Sequence, residues 1–210
     1  ADEDEGPEEG ERWATGLRFS VEPLLSDEQA LSNPVPSPDG TKLLYTRGLG
    51  DLMMLDLRTG ATSVLEEGWS EPDYSWASDS VHVVYAREDL DFNSDVFILD
   101  TRCDGGSCEP VNVTRHPDID GSPMLSHDGK VLIFLSDRDS TNWSMDVYRV
   151  FLDRDLEEMA GYELDAYFEE QAKAAKKLEP AEPLGDDEDG SEDADAGDRE
   201  VLEFDLDDAH

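Results

Sequence analysis

The sequence predicts an all-β fold: a partial β-propeller of about three four-stranded antiparallel blades, followed by one amphipathic helix and an acidic disordered linker. The main observation is a four-residue unit that occurs three times: Ser37-Pro38-Asp39-Gly40, Ala77-Ser78-Asp79-Ser80 and Ser126-His127-Asp128-Gly129. A short apolar run follows each copy, and a second run that begins with Asp comes after it. The copies lie 40 residues apart (39 to 79) and then 49 residues apart (79 to 128). Short strands repeated at this spacing are typical of propeller blades.

Composition and pattern divide the chain into five parts. Residues 1–11 form an acidic disordered tail, residues 12–152 the propeller blades, and residues 153–180 the helix. Residues 181–200 form the acidic linker, and residues 201–210 begin a further strand or domain. The tail and the linker are predicted to be disordered because they lack the apolar side chains that would offset the entropy cost of ordering.

Apolar runs and alternation place the strands of the blades. The predicted strands are 41–46, 52–57 and 62–65 in the first blade, 73–76, 81–87, 95–100 and 110–113 in the second, and 123–125, 131–136 and 145–151 in the third. An Asp-Gly pair suits the tight turn before the second strand, because Asp accepts hydrogen bonds from nearby backbone and Gly tolerates a positive φ. Ser80 replaces Gly in the middle copy, so a different turn type is expected there.

The pattern changes after the blades. Apolar residues recur every three or four positions over 156–178, which predicts one amphipathic helix. Asp155 and Glu158 are spaced as a capping box, Gly161 is the weak point of the helix, and Pro180 ends it.

The net charge excludes two classes of partner. The chain has 54 Asp and Glu against 16 Lys and Arg, a formal charge of -38. Nucleic acids and anionic membrane surfaces are excluded because binding phosphate groups requires clusters of basic side chains. No stretch approaches the roughly 18 apolar residues of a spanning helix, so no membrane insertion is expected.

Cys103 and Cys108 flank a four-residue segment between two predicted strands. A disulfide that closes this hairpin is favoured in an oxidising compartment, and two free thiols are the alternative in a reducing cytosol. A disulfide would favour a periplasmic or secreted location, and free thiols the cytoplasm.

An acidic stretch invites a calcium interpretation. Asp89, Asp91, Asn93 and Asp95 recur at every second residue, with Asp100 where a calcium loop places its final carboxylate. However, the sixth position lacks Gly, the final ligand is not Glu, and no helices flank the loop. We therefore favour a solvated hairpin turn and no cofactor, with calcium as the alternative.

No catalytic residue is predicted. Ser, His and Asp are all present, but nothing resembles a nucleophile elbow or a Gly-rich phosphate loop. His82 lies within an apolar strand and is expected in the core or at a strand edge. Trp69, Trp76 and Trp143 are expected to pack within the blades, and lining a binding face is the alternative.

Several segments carry a resemblance to known families. They are the link Asn112 to Pro123, the turn Ser136-Asp137-Arg138-Asp139, the strand Asp146-Val147-Tyr148, the helix at 163–168 and the segment 204–208. The chain resembles the propeller repeats of TolB-like proteins and, more closely, the propeller region of tricorn-type serine proteases. In that family the catalytic Ser and His lie in domains after the propellers, so no catalytic residue is carried over.

The resemblance implies a function without chemistry in this chain. The leading hypothesis is a non-catalytic propeller segment of a tricorn-like serine peptidase that forms a channel or docking scaffold for peptides. Its partners would then include the remaining blades and the peptidase domains of the parent chain. The alternative is a TolB-like propeller that binds proteins without an attached peptidase. Three blades alone would leave exposed sheet faces, so a homo-oligomer is a further expectation.

Overall fold

The computed structural model describes residues 21–102, 109–138, 140, 142–176, 201, 202 and 204. The chain divides into two compact units, the second of which begins at Leu31. Residues 21–30, the described part of the first unit, contain neither helix nor strand. Cys103, Cys108 and Asp139 lie outside the described residues.

The second unit consists mainly of strands. Its described elements in chain order are β1 (Leu31–Pro36), β2 (Lys42–Arg47), β3 (Asp51–Asp56), β4 (Thr62–Glu66), β5 (Asp73–Trp76), β6 (His82–Glu88), β7 (Ser94–Asp100), β8 (Val111–Asn112), β9 (Asp120–Leu125), β10 (Val131–Ser136), β11 (Asp146–Phe151), α1 (Arg154–Glu158) and α2 (Gly161–Lys176).

The strands form three antiparallel sheets, each of which is one blade. The first sheet has the order β1-β2-β3-β4, the second β5-β6-β7-β8, and the third β9-β10-β11. Within each sheet, every strand pairs with the next one along the chain, as expected for blades built from successive hairpins. The predicted all-β partial propeller is confirmed. The third sheet has three strands among the described residues.

The blades stack through two apolar clusters, one on each face of the second blade. The first cluster joins Leu44 and Leu52 of the first blade to Val83, Tyr85, Phe97 and Leu99. The second joins Val84, Ala86, Val96 and Ile98 to Leu132 and Phe134 of the third blade. Both faces of β6 are therefore buried, which explains its continuous apolar sequence. Complete burial of such a side chain stabilises the fold by roughly 1.5–3 kcal/mol.

The repeated unit forms the turn between the first and second strands of each blade. Ser37 Oγ donates a hydrogen bond to Asp39 Oδ1 at 2.6 Å in the first blade. Ser126 Oγ donates to Asp128 Oδ1 at the same distance in the third. The paired side chains hold the turn because they accept hydrogen bonds from the backbone N–H groups that begin the second strand.

The backbone of the middle turn matches that of the other two, so the expectation of a different turn type at Ser80 is wrong. Ser80 has a φ of 61°, close to the 72° of Gly40. Its N–H donates to the carbonyl of Ala77 at 3.2 Å, as that of Gly40 does to Ser37 at 2.9 Å. Ser80 Oγ also accepts a hydrogen bond from Asp39 N at 3.0 Å, a contact between blades that offsets part of the cost of a positive φ.

Two helices follow the third blade where one was predicted. Asp153 is the N-cap of α1 and accepts a hydrogen bond from Asp155 N at 2.9 Å, so the predicted capping box is wrong. The backbone leaves the helical conformation at Met159, and Gly161 begins α2. Glu163 Oε2 accepts from Ala160 N at 3.1 Å and thereby satisfies a donor at the start of the new helix.

The helix α2 lies against the third blade. The Tyr167 hydroxyl donates to the Asp128 carboxylate of the repeated turn. The Arg149 guanidinium lies 5.7 Å from the centre of the Phe168 ring. None of the described helices is long and apolar enough to cross a membrane.

Candidate functional site

The two ends of the blades carry different sets of loops. The turn end carries the repeated turns 37–41, 77–81 and 126–130. The loop end lies opposite and carries two kinds of segment. The first kind is the hairpin between the second and third strands of each blade: 48–50, 89–93 and the described residues of 137–145. The second kind is the connection between blades: 67–72 and 113–119. These loops lie at one end because neighbouring strands are antiparallel. In each blade the second strand ends, and the third begins, at the end opposite the repeated turn.

The loop end carries a group of exposed apolar side chains. Its members are Leu49, Trp69, Leu90, Phe92, Ile119 and Trp143. The exposed fractions are 41% for Trp69, 68% for Phe92 and 80% for Trp143. Trp69 and Phe92 meet edge to face, with ring centres 5.6 Å apart and an interplanar angle of 87°. Two exposed rings held together in this way form an anchor surface of the kind that interfaces use.

Close packing of glycines positions Trp69. The backbone of Gly50 in the first hairpin lies directly against the connection at Gly68 and Ser70. A Cβ at Gly50 would overlap the backbone of Ser70, and one at Gly68 would overlap that of Gly50. Asp51 Oδ1 accepts a hydrogen bond from Gly68 N at 3.3 Å. The connection that carries Trp69 is therefore held against the first blade.

An acidic turn positions Phe92. Asp89 Oδ1 accepts hydrogen bonds from Asp91 N at 2.9 Å and from Asn93 N at 3.0 Å. Phe92 has a φ of 65°, which is unusual for a large side chain. Backbone held in this conformation by surrounding contacts is common in segments that bind partners.

The five candidate calcium ligands do not form one site. Asp89 caps its own turn, whereas Asp95 accepts from Asn112 Nδ2 at 2.9 Å and from His116 N at 3.0 Å. Asp100 lies at the far end of β7 and binds Arg102. Nowhere in the described ranges do three or more His, Cys, Asp or Glu side chains form a group that could hold a metal ion.

The motif Ser136-Asp137-Arg138 fastens the loop end of the third blade. Arg138 Nη2 contacts both carboxylate oxygens of Asp120, at 2.8 and 2.6 Å. Ser136 Oγ accepts from Arg138 Nε at 2.9 Å, and Asp137 Oδ1 accepts from Ile119 N at 2.8 Å. The motif thus holds the connection before β9 against the hairpin after β10.

The tryptophans Trp69, Trp76 and Trp143 have different roles. Trp76 packs against the first apolar cluster, and its Nε1 donates to the carbonyl of Val35 at 3.1 Å, so it contributes to blade packing. Trp69 and Trp143 are exposed at the loop end, which favours the alternative interpretation for these two. Phe92 was not predicted from the sequence, although an aromatic side chain within an acidic turn is a recognisable signal.

His82 is buried, in agreement with its expected place in the core, and pairs with Asp79 at the turn end. Its Nδ1 lies 2.6 Å from Asp79 Oδ2, and Asp79 Oδ1 accepts from the N–H groups of Val81 and His82 at 2.9 Å each. Burial alone would raise the pKa of Asp79. The hydrogen bonds from His82, Val81 and Leu202 outweigh burial and hold the pKa far below its ordinary value.

The depressed pKa predicts a pH-dependent contribution to stability. Because Asp79 stays ionised in the folded chain, its contribution is complete above its ordinary pKa of 3.8 and is lost as the pH falls towards the folded value. We expect Asp79→Asn to lower the free energy of unfolding by about 2 kcal/mol at pH 5. The difference from the parent chain should shrink as the pH falls from roughly 4 to roughly 2, because the carboxylate is then progressively protonated in the unfolded chain while it stays ionised in the folded one.

Urea unfolding of both chains at each pH measures this difference. Glu170→Gln, which removes an exposed carboxylate on α2, is the matched control and should give a small difference throughout. A difference for Asp79→Asn that stays constant or grows with acidity contradicts the assignment.

No family model matches the sequence, and none of the curated proteins matches it. The chain is similar to TolB from Acinetobacter baumannii, with 22% identity and a TM-score of 0.48 over 61% of this chain and 31% of TolB. It is also similar to the acylaminoacyl peptidase of Pyrococcus horikoshii, with 19% identity and a TM-score of 0.40 over 57% of this chain and 23% of the peptidase.

A third similar structure is the WD40 domain of coronin from Toxoplasma gondii. Its identity is 17% and its TM-score 0.41, over 60% of this chain and 36% of the coronin structure. This chain therefore spans well under two thirds of the length of each of these three proteins.

Proposed function

We propose that this chain is a non-catalytic propeller segment whose loop end binds a peptide or a segment of a partner protein. The observation that carries the proposal is the exposed pair of Trp69 and Phe92, held edge to face at 5.6 Å on two separately fixed loops. Tryptophan is enriched among the residues that dominate binding energy, because a large rigid ring gains contact area at low entropy cost.

Charge indicates the chemistry of the partner. Asp89 and Asp91 are exposed beside Phe92, and Glu71 is exposed two residues after Trp69. The whole chain carries a formal charge of -38. The loop end therefore favours a segment that combines basic side chains with aliphatic or aromatic ones, since complementary charge speeds association and excludes acidic partners.

The finer proposal is that the segment belongs to a tricorn-like serine peptidase and admits or docks its peptides. The motifs at Asn112–Pro123 and Ser136–Arg138 support it, as does the helix that follows the third blade. The complete gene tests this proposal. A second propeller and a serine peptidase domain encoded after residue 210 would support it. An open reading frame with blades alone would favour the TolB-like alternative.

Removal of both rings should weaken binding. We expect the double variant Trp69→Ala, Phe92→Ala to lose at least about tenfold in affinity, since each ring is a central apolar anchor. The probe is a labelled pool of decapeptides restricted to Lys, Arg, Leu and Phe, measured by fluorescence anisotropy. A second pool in which Asp and Glu replace Lys and Arg should bind more weakly.

Tyr162→Ala provides the matched control, because Tyr162 is an aromatic residue on α2 with 74% of its surface exposed. This variant should bind the basic pool as the parent chain does. Equal affinity of the parent and the double variant, or equal binding of both pools, would overturn the proposal.

A further inference from the structure

The turn end holds a second, separate feature: the C-terminal residues Leu202 and Phe204 lie across the turns of the second and third blades. Leu202 N donates to Asp79 Oδ2 at 3.1 Å. The Phe204 ring meets the His82 ring edge to face, with centres 4.8 Å apart. Phe204 also packs against the second apolar cluster, between the two blades.

Gly129 shapes the surface under these two side chains. A Cβ added there would lie 2.6 Å from Leu202 Cδ1 and 3.2 Å from Phe204 Cζ. The equivalent glycine of the first turn, Gly40, has nothing within 4 Å of the same position. The two glycines have nearly equal φ angles, 73° and 72°. The backbone of both turns thus favours glycine, but only at Gly129 does another segment occupy the space that a side chain would fill.

The polar part of the site is formed in advance by the fold. Asp79 and His82 are fixed by each other and by the turn, with 0% and 9% of their side chains exposed. The second carboxylate oxygen of Asp79 faces Leu202 as a hydrogen-bond acceptor. Each group of the segment therefore has its own contact on the turns. The Leu202 amide meets Asp79, the Leu202 side chain lies over Gly129, and the Phe204 ring meets His82.

The sequence separates this segment from α2 by 24 residues, 177–200. No strand pairs with the described residues Val201, Leu202 and Phe204, although alternation had predicted a strand there. Their place on the turns therefore depends on the contacts of the segment itself and not on a short connection or on a sheet.

We propose that Asp79, His82 and Gly129 form a recognition site for a Leu-x-Phe peptide segment, which this chain fills with its own Leu202 and Phe204. The site is independent of the loop end. It discriminates by the contact with the His82 ring, by the acceptor for the Leu amide and by the space over Gly129. Emptying it should let the same segment bind from outside.

The experiment uses the full chain with a labelled octapeptide of residues 200–207. Leu202→Ala with Phe204→Ala empties the site in the full chain. We expect this variant to bind the octapeptide at least about tenfold more tightly than the parent chain, whose own segment competes at high effective concentration. An octapeptide with both apolar residues replaced by Ala should not bind.

Two further variants separate recognition from turn stability. In the emptied background, Gly129→Ala should weaken octapeptide binding at least about tenfold by filling the space under Leu202, whereas Gly40→Ala, which imposes the same backbone strain, should leave binding unchanged. Hydrogen exchange supplies a readout without peptide. The Leu202 amide should lose protection in Gly129→Ala of the otherwise unaltered chain and keep it in Gly40→Ala.

Each result is decisive. Equal effects of Gly129→Ala and Gly40→Ala on the octapeptide and on the Leu202 amide would overturn the proposal. So would an emptied chain that binds the octapeptide no better than the parent. Should Gly129→Ala unfold the emptied chain, the exchange of the Leu202 amide in the otherwise unaltered chain decides instead.

Discussion

Replacing Arg138 by Met is expected to lower the free energy of unfolding by about 3–5 kcal/mol, because it leaves a buried carboxylate without its partner. Asp120 is fully buried, and both of its carboxylate oxygens contact the Arg138 guanidinium. The guanidinium also lies over two aromatic rings, 5.1 Å from Phe134 and 5.2 Å from Tyr148. Urea unfolding followed by circular dichroism at neutral pH measures the loss.

The exposed pair of Arg102 and Asp100 is the matched control. Their side chains are 53% and 37% exposed, so Arg102→Met should cost less than about 1 kcal/mol. Replacing both members of the buried pair, Asp120→Leu with Arg138→Met, should recover part of the loss, since no charge is then buried alone. Similar small losses for Arg138→Met and Arg102→Met would refute this account.

Truncating Phe134 is expected to uncouple the third blade from the second. Phe134 is 1% exposed, packs in the second apolar cluster and stacks on Tyr148 with ring centres 6.0 Å apart. Phe134→Ala should cost about 3–5 kcal/mol through lost burial and a residual cavity. Because stacked repeats contact only their neighbours, amides of β9, β10 and β11 should lose hydrogen-exchange protection before those of β2 and β6.

Val147→Ala is the control on the opposite face of the same blade, where Val147 is 72% exposed. It should change the stability by less than about 0.5 kcal/mol. Simultaneous loss of protection in all three blades of Phe134→Ala would show that the stack unfolds as one unit and that the prediction is wrong.

Strands were predictable where repetition and apolar runs coincided. The predicted ranges 73–76 and 131–136 agree with β5 and β10. The strand β1 was missed because its sequence contains two prolines and no regular alternation. It keeps its pairing with β2 through an irregularity between Ser32 and Val35, where Asn33 has a φ of 52°. Contacts with the second blade hold this strand, and a local pattern does not reveal them.

The candidate sites were less predictable than the blades. Alternate acidic residues at 89–95 left calcium as an alternative to a solvated turn. In the structure, Asp89 accepts hydrogen bonds from the backbone of its own turn, which carries the exposed Phe92. The contact between Leu202 and Asp79 joins residues 123 positions apart. No periodicity encodes such a contact, because it depends on the surface that two blades form together.

β5, the first strand of the second blade, contacts both neighbouring blades. Its side chains point alternately to the two faces of the sheet, so each neighbour is contacted by every second residue. Tyr74 and Trp76 donate to the carbonyls of Asn33 and Val35 in the first blade, at 2.6 and 3.1 Å. Asp73 and Ser75, which point the other way, bond Ser122 N at 3.0 Å and the carbonyl of Pro123 at 2.9 Å in the third.

Four consecutive residues of β5 therefore contact the two neighbouring blades, two residues for each blade. A gene duplication that copied the second blade in tandem would set Tyr74 and Trp76 of one copy against Asp73 and Ser75 of the other. At that new junction the side chains would face a copy of β5 instead of the main-chain groups of Asn33 and Val35 or of Ser122 and Pro123. Inserting a copied blade would therefore change the contacts on one side of β5 in each copy.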